Sequence, residues 1–559
     1  MKKNVKRFAA ALAVMLVLTL LAACAPQSAQ TAQTTLPAQS TAPVQSASAT
    51  QAPQTAEPAA SAETGLLADK ETTLTILMPE HVSYPVKTYE ESPFLQYITQ
   101  ITNVKLDLMV VPDADNAYKQ KLSIMLNSAD IPDIIWSSSD DANINSLAVK
   151  GMFAAYTDHL DTVEHIAALL ESTPDIVKNT AASDGKLYIM PRLTLNTMTE
   201  LFIIREDIMQ AEGLSDPADY DELYTLLKTL QEKYPDKKVF VNRNGAEHLV
   251  NRLGYSWGTG YETATCGFYL DRESDAYVYG PSEENFKQMV LWLKKLYDEG
   301  LLDSEYALMS TQQWEEAFAN EEALFTIDYI ARVQTLNTNY INAGSTARVV
   351  GMNPPAGPTG QFGILGRSKV MGNSGVVINA KASDLTLALK FVDWVFSDEG
   401  RYTATYGIEG ETFTIDDEGH AVLTEQMSRQ ANPEGKELIK DYGWVYYLNK
   451  YEFPEGFTRN PASDPEPVDD RYMYSREVME SIGAVIEPDP TLSYTDAQSK
   501  TLKTAGTDVS DCFKQNIDKF IMGTRPIDEW EQFVAEVEKL GVAEVGEALN
   551  EAYAAYKAR

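Results

Sequence analysis

The stretch TLTILMPE, residues 73–80, begins the ordered part of this chain, and VKLDLMVVP, residues 104–112, follows it. Runs of β-branched and other apolar residues predict a strand from Thr73 to Met78, stopped by Pro79, and a second strand from Val104 to Val111. A helix from Ser92 is expected between these strands.

The next stretch, NAYKQKLSIMLNSADIPDIIW, covers residues 116–136. Leu122, Met125 and Leu126 fall on one face of a helix, and IPDIIW predicts a short buried strand. Strands that alternate with helices indicate an α/β fold, with a sheet whose neighbouring strands are joined by crossover helices.

The amino-terminal residues have the composition of an export signal. Lys2, Lys3, Lys6 and Arg7 precede an uncharged apolar run that ends at LAAC, residues 21–24. The run is somewhat short for a membrane span, so residues 1–23 are predicted to be a cleaved signal peptide. The four residues resemble the lipobox of bacterial lipoproteins, which implies that Cys24 is acylated and becomes the first residue of the mature chain. The alternative is an ordinary signal peptide with an incidental cysteine.

Residues 24–70 are predicted to form a disordered tether, because Ala, Pro, Gln, Ser and Thr dominate them and cannot form a core. The chain has 559 residues and a formal charge of −35, which becomes −39 without the four basic residues of the signal. This excess disfavours nucleic-acid binding and electrostatic membrane binding, so we expect membrane attachment through the lipid anchor only. Spacing leaves open whether Cys266 and Cys512 pair.

Several blocks resemble the extracellular solute-binding proteins of ABC importers, specifically the maltose-binding-like family 1. YKQKLSIMLNSADIPDIIW looks like the family's helix and G-D-x-P-D-I turn, with Ala129 where glycine is common. Similar blocks are DGKLYIMPR at 184–192, LFIIREDI at 201–208 and SDPADYDELYTLLKTLQEKYP at 215–235. YGIEGETFTIDDEGH at 406–420 and the segment 520–557 resemble the large lipoprotein branch of the family.

The resemblance implies a two-lobed periplasmic-binding-protein-like fold of class II, with a cleft between the lobes and several crossings of the chain. The expected N-lobe comprises residues 71–203 and 370–425, and the expected C-lobe comprises residues 204–369 and 426–559. We expect crossings near residues 201–205, near residues 367–375 and after the YGIEGETF block.

Aromatic and polar side chains in loops at strand ends are suitable for binding sugars, since rings stack on C–H faces and polar groups bind hydroxyls. The resemblance also implies that the strand ALFTI, residues 323–327, delivers ligand contacts to the cleft. The predicted ligand-binding residues are Tyr84, Trp136, Trp257, Asp328, Tyr329 and Arg332.

The motif GYSWG, residues 254–258, satisfies the G-x-S-x-G pattern of serine hydrolases. That pattern requires a strand before the motif and a helix after it, whereas AEHLVNRL predicts a helix before it and GFYLD predicts a strand after it. His420 falls in a predicted hairpin, so we expect a turn here rather than a catalytic triad. No histidine or acidic spacing matches a metal site, and no cofactor or required metal is expected. Paired glycosidase carboxylates are not excluded by spacing.

These observations predict a non-enzymatic, lipid-anchored binding protein on the extracytoplasmic face of the cell membrane. We expect a monomer that hands a small solute, an oligosaccharide, to ABC permease subunits. The alternatives are a peptide- or other solute-binding lipoprotein of the same fold, and an exported glycan-active enzyme.

Overall fold

The computed structural model describes residues 66–81, 84–113, 116–194, 197–427, 437–453, 458–459 and 471–558. The predicted signal peptide, Cys24 and the tether up to residue 65 lie outside the described residues. The globular body includes Leu67, whose backbone N–H donates to the carbonyl of Thr102 at 3.0 Å. It therefore begins a few residues before the tether was expected to end.

The first segment of the chain alternates strands and helices. Its elements are β1 (Thr72–Glu80), α1 (Pro93–Thr102), β2 (Val104–Pro112), α2 (Ala117–Ser128), β3 (Ile134–Ile135), α3 (Asp141–Ala148), α4 (Glu164–Ser172), α5 (Asp175–Thr180) and β4 (Ile189–Leu193). The predicted strands and helices of residues 73–136 are confirmed. Pro79 does not stop β1, because β3 pairs with β1 only at Ile76 and Leu77 and a single neighbouring strand remains beyond that point.

The second segment builds another sheet and the helices that cover it. Its elements are β5 (Glu200–Arg205), α6 (Glu206–Glu212), α7 (Tyr220–Lys233), β6 (Lys238–Phe240), α8 (Gly245–Leu253), β7 (Phe268–Asp271), β8 (Ala276–Tyr279), α9 (Glu284–Asp298), α10 (Thr311–Ala319), β9 (Ala323–Tyr329), α11 (Ala331–Asn342) and β10 (Val349–Met352).

The third segment contributes to both lobes. Its elements are β11 (Ile364–Leu365), β12 (Val370–Ile378), α12 (Leu385–Phe396), α13 (Asp398–Tyr406), β13 (Phe413–Ile415), β14 (Ala421–Leu423), α14 (Glu437–Tyr442), β15 (Thr458–Arg459), α15 (Arg471–Ser481), β16 (Val485–Ile486), α16 (Asp496–Thr501), α17 (Thr507–Ile521), α18 (Trp530–Glu538) and α19 (Val542–Lys557). A π-helical turn, Leu502–Gly506, joins α16 to α17.

Two main sheets define two lobes. The first lobe contains the order β2-β1-β3-β12-β4, and the second contains β10-β5-β9-β6. β1 is buried on both faces, since Leu74 and Ile76 enter one apolar cluster while Leu77 enters another. Covering both faces of a sheet with helices is typical of α/β proteins and explains the continuous apolar runs of the sequence.

Among the described residues, three connections lead from one lobe to the other. The first crossing lies between β4 and β5, and the second lies between β10 and β12, where β11 pairs with β16. The third follows β15, because β15 pairs with β14 beside α13 of the first lobe, while α15 contacts β10 and α11 of the second.

The lobe boundaries differ from those expected. Residues 200–203 lie in β5, which pairs with β9 of the second lobe, so the first crossing precedes residue 200. The segment 437–453 packs on the first lobe rather than the second. A run such as Leu201–Phe202–Ile203–Ile204 predicts a buried strand but carries no information about which sheet will pair with it. Among the described residues, no helix combines the length and the apolar character needed to cross a bilayer.

Candidate ligand-binding cleft

A cavity of about 840 Å³ lies between the two lobes. The first lobe contributes residues of α3, the loop after α5 and the start of β12, while the second contributes the start of β5 and residues 251–255. The second crossing, residues 364–368, and the segment 488–496 after β16 complete the wall. Because α3 follows β3, this wall lies beyond the carboxyl end of a parallel strand, where α/β proteins commonly bind ligands.

Asp141 and Asn373 join the two elements that form the first lobe's wall. The backbone N–H of Asn373 donates to Asp141 Oδ2 at 2.8 Å, and the N–H of Asp141 donates to Asn373 Oδ1 at 3.0 Å. Asn373 lies in an irregular part of β12 and has a φ of +56°, which asparagine tolerates better than most residues. Burial raises the pKa of the Asp141 carboxyl. The reciprocal hydrogen bonds fix the position of this carboxylate at the cavity.

Glu200 and Arg252 form an ion pair on the second lobe's wall. Arg252 Nη2 lies 2.5 Å from Glu200 Oε1, and Nη1 donates to the carbonyl of His248 at 2.8 Å. The side chains are 5% and 14% exposed for Arg252 and Glu200, respectively. Burial raises the pKa of Glu200 and lowers that of Arg252, since both charges lose solvation.

Tyr255 presents a half-buried ring to the cavity from the turn Gly254–Trp257. Within the described residues its hydroxyl has no hydrogen-bond partner. An aromatic ring with a polar tip can stack on a sugar face and still bind a hydroxyl. Tyr255 is therefore the best placed aromatic platform on the second lobe.

Glu262 and Asp489 place two carboxyl groups on the cavity wall. Asn251 Nδ2 donates to Glu262 Oε1 at 3.3 Å, while Asp489 accepts from the N–H of Leu270 at 2.9 Å and pairs with Arg272 at 3.2 Å. Burial, aided by the negative charge of Asp489, raises the pKa of Glu262 to about 7. Burial also raises the pKa of Asp489. Glu262 can therefore exchange a proton near neutral pH.

The family model called bacterial extracellular solute-binding protein matches residues 86–412, which is more than half of the chain. The chain belongs to this family. The residues matched by the family model include most of the first lobe, the whole second-lobe sheet and the first two crossings.

Two proteins of Bacillus subtilis (strain 168) are similar in sequence to this solute-binding protein. Lipoprotein LipO is 23% identical over 363 residues, which cover 62% of this chain and 68% of LipO. The polygalacturonan/rhamnogalacturonan-binding protein YtcQ is 24% identical over 328 residues, which cover 56% of this chain and 62% of YtcQ. The match to YtcQ thus spans less than two thirds of that protein.

Solved structures share the fold over most of the chain. The alginate-binding protein AlgQ2 superposes with a TM-score of 0.67 at 22% identity, covering 87% of this chain and 99% of AlgQ2. The Streptococcus pneumoniae substrate-binding protein FusA, solved with kestose, gives a TM-score of 0.69 at 17% identity, covering 87% of this chain and all of FusA. The family and these structures are binding proteins, not enzymes.

The structure places Asp328 in a buried ion pair rather than on the cavity wall. Arg243 Nε lies 2.7 Å from Asp328 Oδ2, and Arg243 Nη2 lies 2.8 Å from Oδ1. Asp328 is fully buried, so its carboxylate is already used by the protein. Arg332 pairs with Glu315 at 2.7 Å and lies 3.7 Å from Asp328, and its guanidinium is equally committed to neighbours.

Tyr329 lies beside the cavity wall at the end of β9. It is opposite Glu200 in the pairing of β9 with β5, and the Arg252 guanidinium lies 5.8 Å from its ring centre. The side chain is 46% exposed. Of the three predicted residues from this strand end, Tyr329 alone combines exposure with contact to cavity-lining residues.

Trp136 and Trp257 lie in the cores. Trp136 is fully buried, packs on Phe391 and donates its indole N–H to the carbonyl of Tyr447 at 2.7 Å. Trp257 packs on Tyr220 and Trp292 in the second lobe. Neither ring has a free face for a ligand in this conformation, so the structure does not bring them to the cavity.

Tyr84 belongs to an aromatic group at the end of β1, separate from the cavity wall. Its ring stacks on His81 at 4.7 Å and on Tyr446 at 4.9 Å between ring centres. Tyr447 extends the group and donates to Asp113 Oδ2 at 3.2 Å. The rings are half-buried, and they lie at the carboxyl end of a first-lobe strand.

Ser256, the serine of the GYSWG motif, is buried in the core. Its hydroxyl lies 2.6 Å from the Tyr220 hydroxyl and donates to the carbonyl of Leu253 at 2.9 Å. The predicted helix before the motif and strand after it are confirmed as α8 and β7. A serine without access to solvent cannot act as the nucleophile of an esterase.

Cys266, Cys512 and the acidic cluster beside β13 and β14 are not among the described residues that line the cavity. Cys266 and Cys512 are free thiols, and burial raises the pKa of both. Asp416, Glu418 and His420 bring possible ligand atoms within 4.8 Å of one another beside β13 and β14. Asp416 Oδ1 accepts the backbone N–H groups of Glu418 and His420, so the local turn accounts for this cluster. The absence of a required metal stays a prediction.

Sequence reasoning missed the residues that line the cavity. They are polar or aromatic residues outside the β9 strand end, chiefly Asp141, Glu200, Asn251, Arg252, Tyr255 and Glu262. Two signals were present: Asp141 follows the strand IPDIIW, and Tyr255 lies in the GYSWG turn.

Proposed function

We propose that this chain is the lipid-anchored, extracytoplasmic binding subunit of an ABC importer and that its solute is an oligosaccharide. The observation that carries this proposal is the cavity of about 840 Å³ between lobes that are joined by three crossings. Its volume is within the range of about 300–1,000 Å³ typical of ligand sites. Both lobes contribute polar groups, so one ligand can contact both.

The chemistry of the wall suits a sugar. Asn145, Asn251 and Asn373 supply amides, Asp141 and Glu262 supply carboxyl groups, and Tyr255 supplies a ring. Sugar hydroxyls both donate and accept hydrogen bonds, which matches such a mixture of groups. A peptide would instead be bound through an apolar groove or a free strand edge, and these amide and carboxyl side chains supply neither.

The names of relatives support the same class of ligand. YtcQ is named for binding polygalacturonan and rhamnogalacturonan, AlgQ2 for binding alginate, and FusA was solved with kestose. The Streptococcus pneumoniae protein NgtS, described as an N-glycan transport binding protein, has a TM-score of 0.60 at 16% identity. AlgQ2, FusA and NgtS share their fold with this chain, and all four proteins are named for a carbohydrate or were solved with one.

Binding and release would use the crossings as a hinge. A ligand that contacts Asp141 on one lobe and Tyr255 on the other binds the closed arrangement more tightly than an open one, and so shifts the population towards closure. The permease would then recognise the closed protein. The predicted signal, Cys24 and the similarity to lipoprotein LipO support attachment to the membrane by lipid, and we propose that the chain acts there as a monomer.

A thermal-shift screen against oligosaccharides, peptides and amino acids tests the ligand class. A ligand at 100 times its Kd adds about 2.7 kcal/mol of stability, which corresponds to roughly 2–5 °C in Tm for a protein of this size. We expect at least one oligosaccharide to raise the Tm by this amount and the peptides to have no effect. Stabilisation by peptides alone would reject the carbohydrate assignment.

Uptake of the labelled oligosaccharide by cells with and without this chain tests the importer role. Loss of uptake in cells that retain the permease is the expected result. Unchanged uptake would show that this binding protein is not required for transport of that oligosaccharide.

A further inference from the structure

The charged residues that line the cavity are unequal in number. The acidic residues are Asp140, Asp141, Glu200, Glu262, Asp489 and Asp496, while the basic residues are Lys150, Arg252 and Arg367. A site that binds an acidic sugar needs cations able to leave their present partners, because carboxylates are recognised by Arg and Lys. Such a sugar could therefore bind here only if Lys150, Arg252 or Arg367 were free to contact its carboxylate.

The cations of the wall are engaged with the protein. Arg252 pairs with Glu200 at 2.5 Å, and Lys150 lies 3.3 Å from Asp496 Oδ2 and 3.1 Å from Ser146 Oγ. Arg367 Nη2 lies 3.4 Å from Thr194 Oγ1. Redirecting Arg252 to a ligand would leave the buried Glu200 carboxylate without its cation, which is costly in a site of low solvation.

Two carboxyl groups, one from each lobe, lack such a cation. In the part of the chain that the structure describes, no Lys or Arg forms an ion pair with Asp141 or Glu262. Burial is the main cause of the raised pKa of Glu262; the charge of Asp489 adds to the rise, and the charge of Arg252 opposes it. With more acidic than basic side chains on the wall, an incoming carboxylate would meet a net negative lining.

Two buried hydrogen-bond acceptors without a donor also favour an uncharged ligand. Asp141 Oδ1 and Asn145 Oδ1 are buried without a hydrogen-bond partner, and the two residues are one turn apart on the same face of α3. Asn145 Nδ2 faces the carbonyl of Thr180 at 3.4 Å, which orients the amide with its oxygen free. This wall therefore lacks donors, and an ionised carboxylate supplies none.

Arg252 Nε is a buried donor that also has no partner. A hydroxyl group can accept from such a donor and donate to an aspartate at the same time. The spare acceptors, the spare donor and the shielded pairing of Arg252 with Glu200 therefore match hydroxyl groups better than carboxylates.

We propose that the cavity selects uncharged oligosaccharides and rejects uronic-acid oligosaccharides, with Asp141 and Glu262 as the specificity-determining residues. This inference rests on the proposed carbohydrate-binding function. It distinguishes this chain from YtcQ and AlgQ2, whose names refer to polysaccharides that contain uronic acids.

Calorimetric titration with matched trisaccharides tests the proposal. The neutral probes are cellotriose, β-1,4-mannotriose and α-1,4-galactotriose, each compared with the trisaccharide that carries a C6 carboxylate on every ring. We expect the best neutral probe to bind at least tenfold more tightly than any acidic probe in low salt at pH 8. An acidic probe that binds as tightly as the best neutral one would overturn the inference while leaving the carbohydrate-binding function intact.

Charge-removing variants test the two named residues. In the double variant Asp141→Asn with Glu262→Gln, the ratio of acidic to neutral affinity should rise at least threefold. Asp236→Asn, in the exposed loop between α7 and β6, removes the same type of charge away from the cavity wall and should leave the ratio unchanged. Tm values establish that each variant is folded, and each single variant is titrated if the double variant unfolds.

The remaining outcomes are also decisive. An unchanged ratio in folded variants would show that Asp141 and Glu262 do not set the specificity. Tighter binding of the glucosamine trisaccharide than of every neutral probe would show that the site selects cations. Failure of all carbohydrates to bind would reject the proposed function together with this inference.

Discussion

Arg252 Nη2 lies 2.5 Å from Glu200 Oε1, and this contact joins α8 to the first strand of the second lobe at the wall of the cavity. The two residues are far apart in sequence, and both are shielded from solvent. Their pairing sets the position of the second lobe's charged groups. It also keeps the Arg252 guanidinium beside the ring of Tyr329.

We expect Arg252→Ala to lower the free energy of unfolding by about 3 kcal/mol, because Glu200 would remain buried without its cation. Urea denaturation at pH 7 measures the change. Lys294→Ala, which removes the more exposed pair with Asp298, should cost less than about 1 kcal/mol. Equal losses for the two variants would contradict a special role for the Glu200–Arg252 pair.

Tyr329→Ala should weaken binding of the oligosaccharide identified in the screen by roughly tenfold to a hundredfold, with little change in Tm. The reason is that the ring is 46% exposed beside Glu200 and Arg252, so its loss removes ligand contact rather than core packing. Calorimetry provides the affinity. Tyr474→Ala, which removes a ring that is 54% exposed on α15, is the matched control and should bind normally. Unchanged affinity in folded Tyr329→Ala would show that the end of β9 is not part of the binding site.

Tyr255→Ala should reduce affinity for the same ligand by roughly tenfold or more, whereas Tyr255→Phe should retain most of it. The comparison separates stacking on the ring from hydrogen bonding to the hydroxyl. Trp257→Ala, two residues further on, should instead lower the unfolding free energy by about 3–5 kcal/mol, since Trp257 is in the core. If Tyr255→Ala lost stability and not affinity, Tyr255 would belong to the packing and not to the site.

The raised pKa of Glu262 predicts that the free energy of unfolding depends on pH. Its pKa is about 7 in the folded protein and near 4.5 in the unfolded chain, so the folded state binds more protons between these values. The unfolding free energy should therefore fall as pH rises from about 4.5 to 7, by up to about 3 kcal/mol from this group. Glu262→Gln should lack this contribution and be more stable than wild type at pH 8. Parallel urea titrations at pH 5 and pH 8 measure it, and an identical pH response of both proteins would contradict the assigned pKa.

Cys24→Ala should transfer the protein from the membrane fraction to the soluble fraction, because the predicted tether has no other apolar segment that could hold it. Fractionation of cells at low and high salt measures the distribution. Cys512→Ala, which changes a free thiol of the globular body, should remain with the membrane. Retention of Cys24→Ala at high salt would show that lipid at this cysteine is not the anchor.

Much of the local structure follows from the sequence. Apolar runs predict β1, β2, β3 and β9, and helical periodicity predicts α2, because both signals come from residues that are close along the chain. The environment of GYSWG was also predictable, since the helix before it and the strand after it exclude a nucleophile elbow. The order of these elements is enough to indicate an α/β protein.

Only the tertiary structure decided which polar and aromatic residues reach the cavity. The position of Asp328 at a strand end predicts a ligand contact, yet its carboxylate forms an ion pair with Arg243, 85 residues earlier. Trp257 and Tyr255 lie in one turn, but packing against Tyr220 turns the tryptophan into the core while the tyrosine lines the cavity. Periodicity describes a residue's neighbours along the chain, whereas burial, ion pairing and pKa depend on groups that three crossings bring together from distant segments. The sequence by itself therefore determined the class of fold and the family, and the pairing of distant residues across the two lobes determined the site.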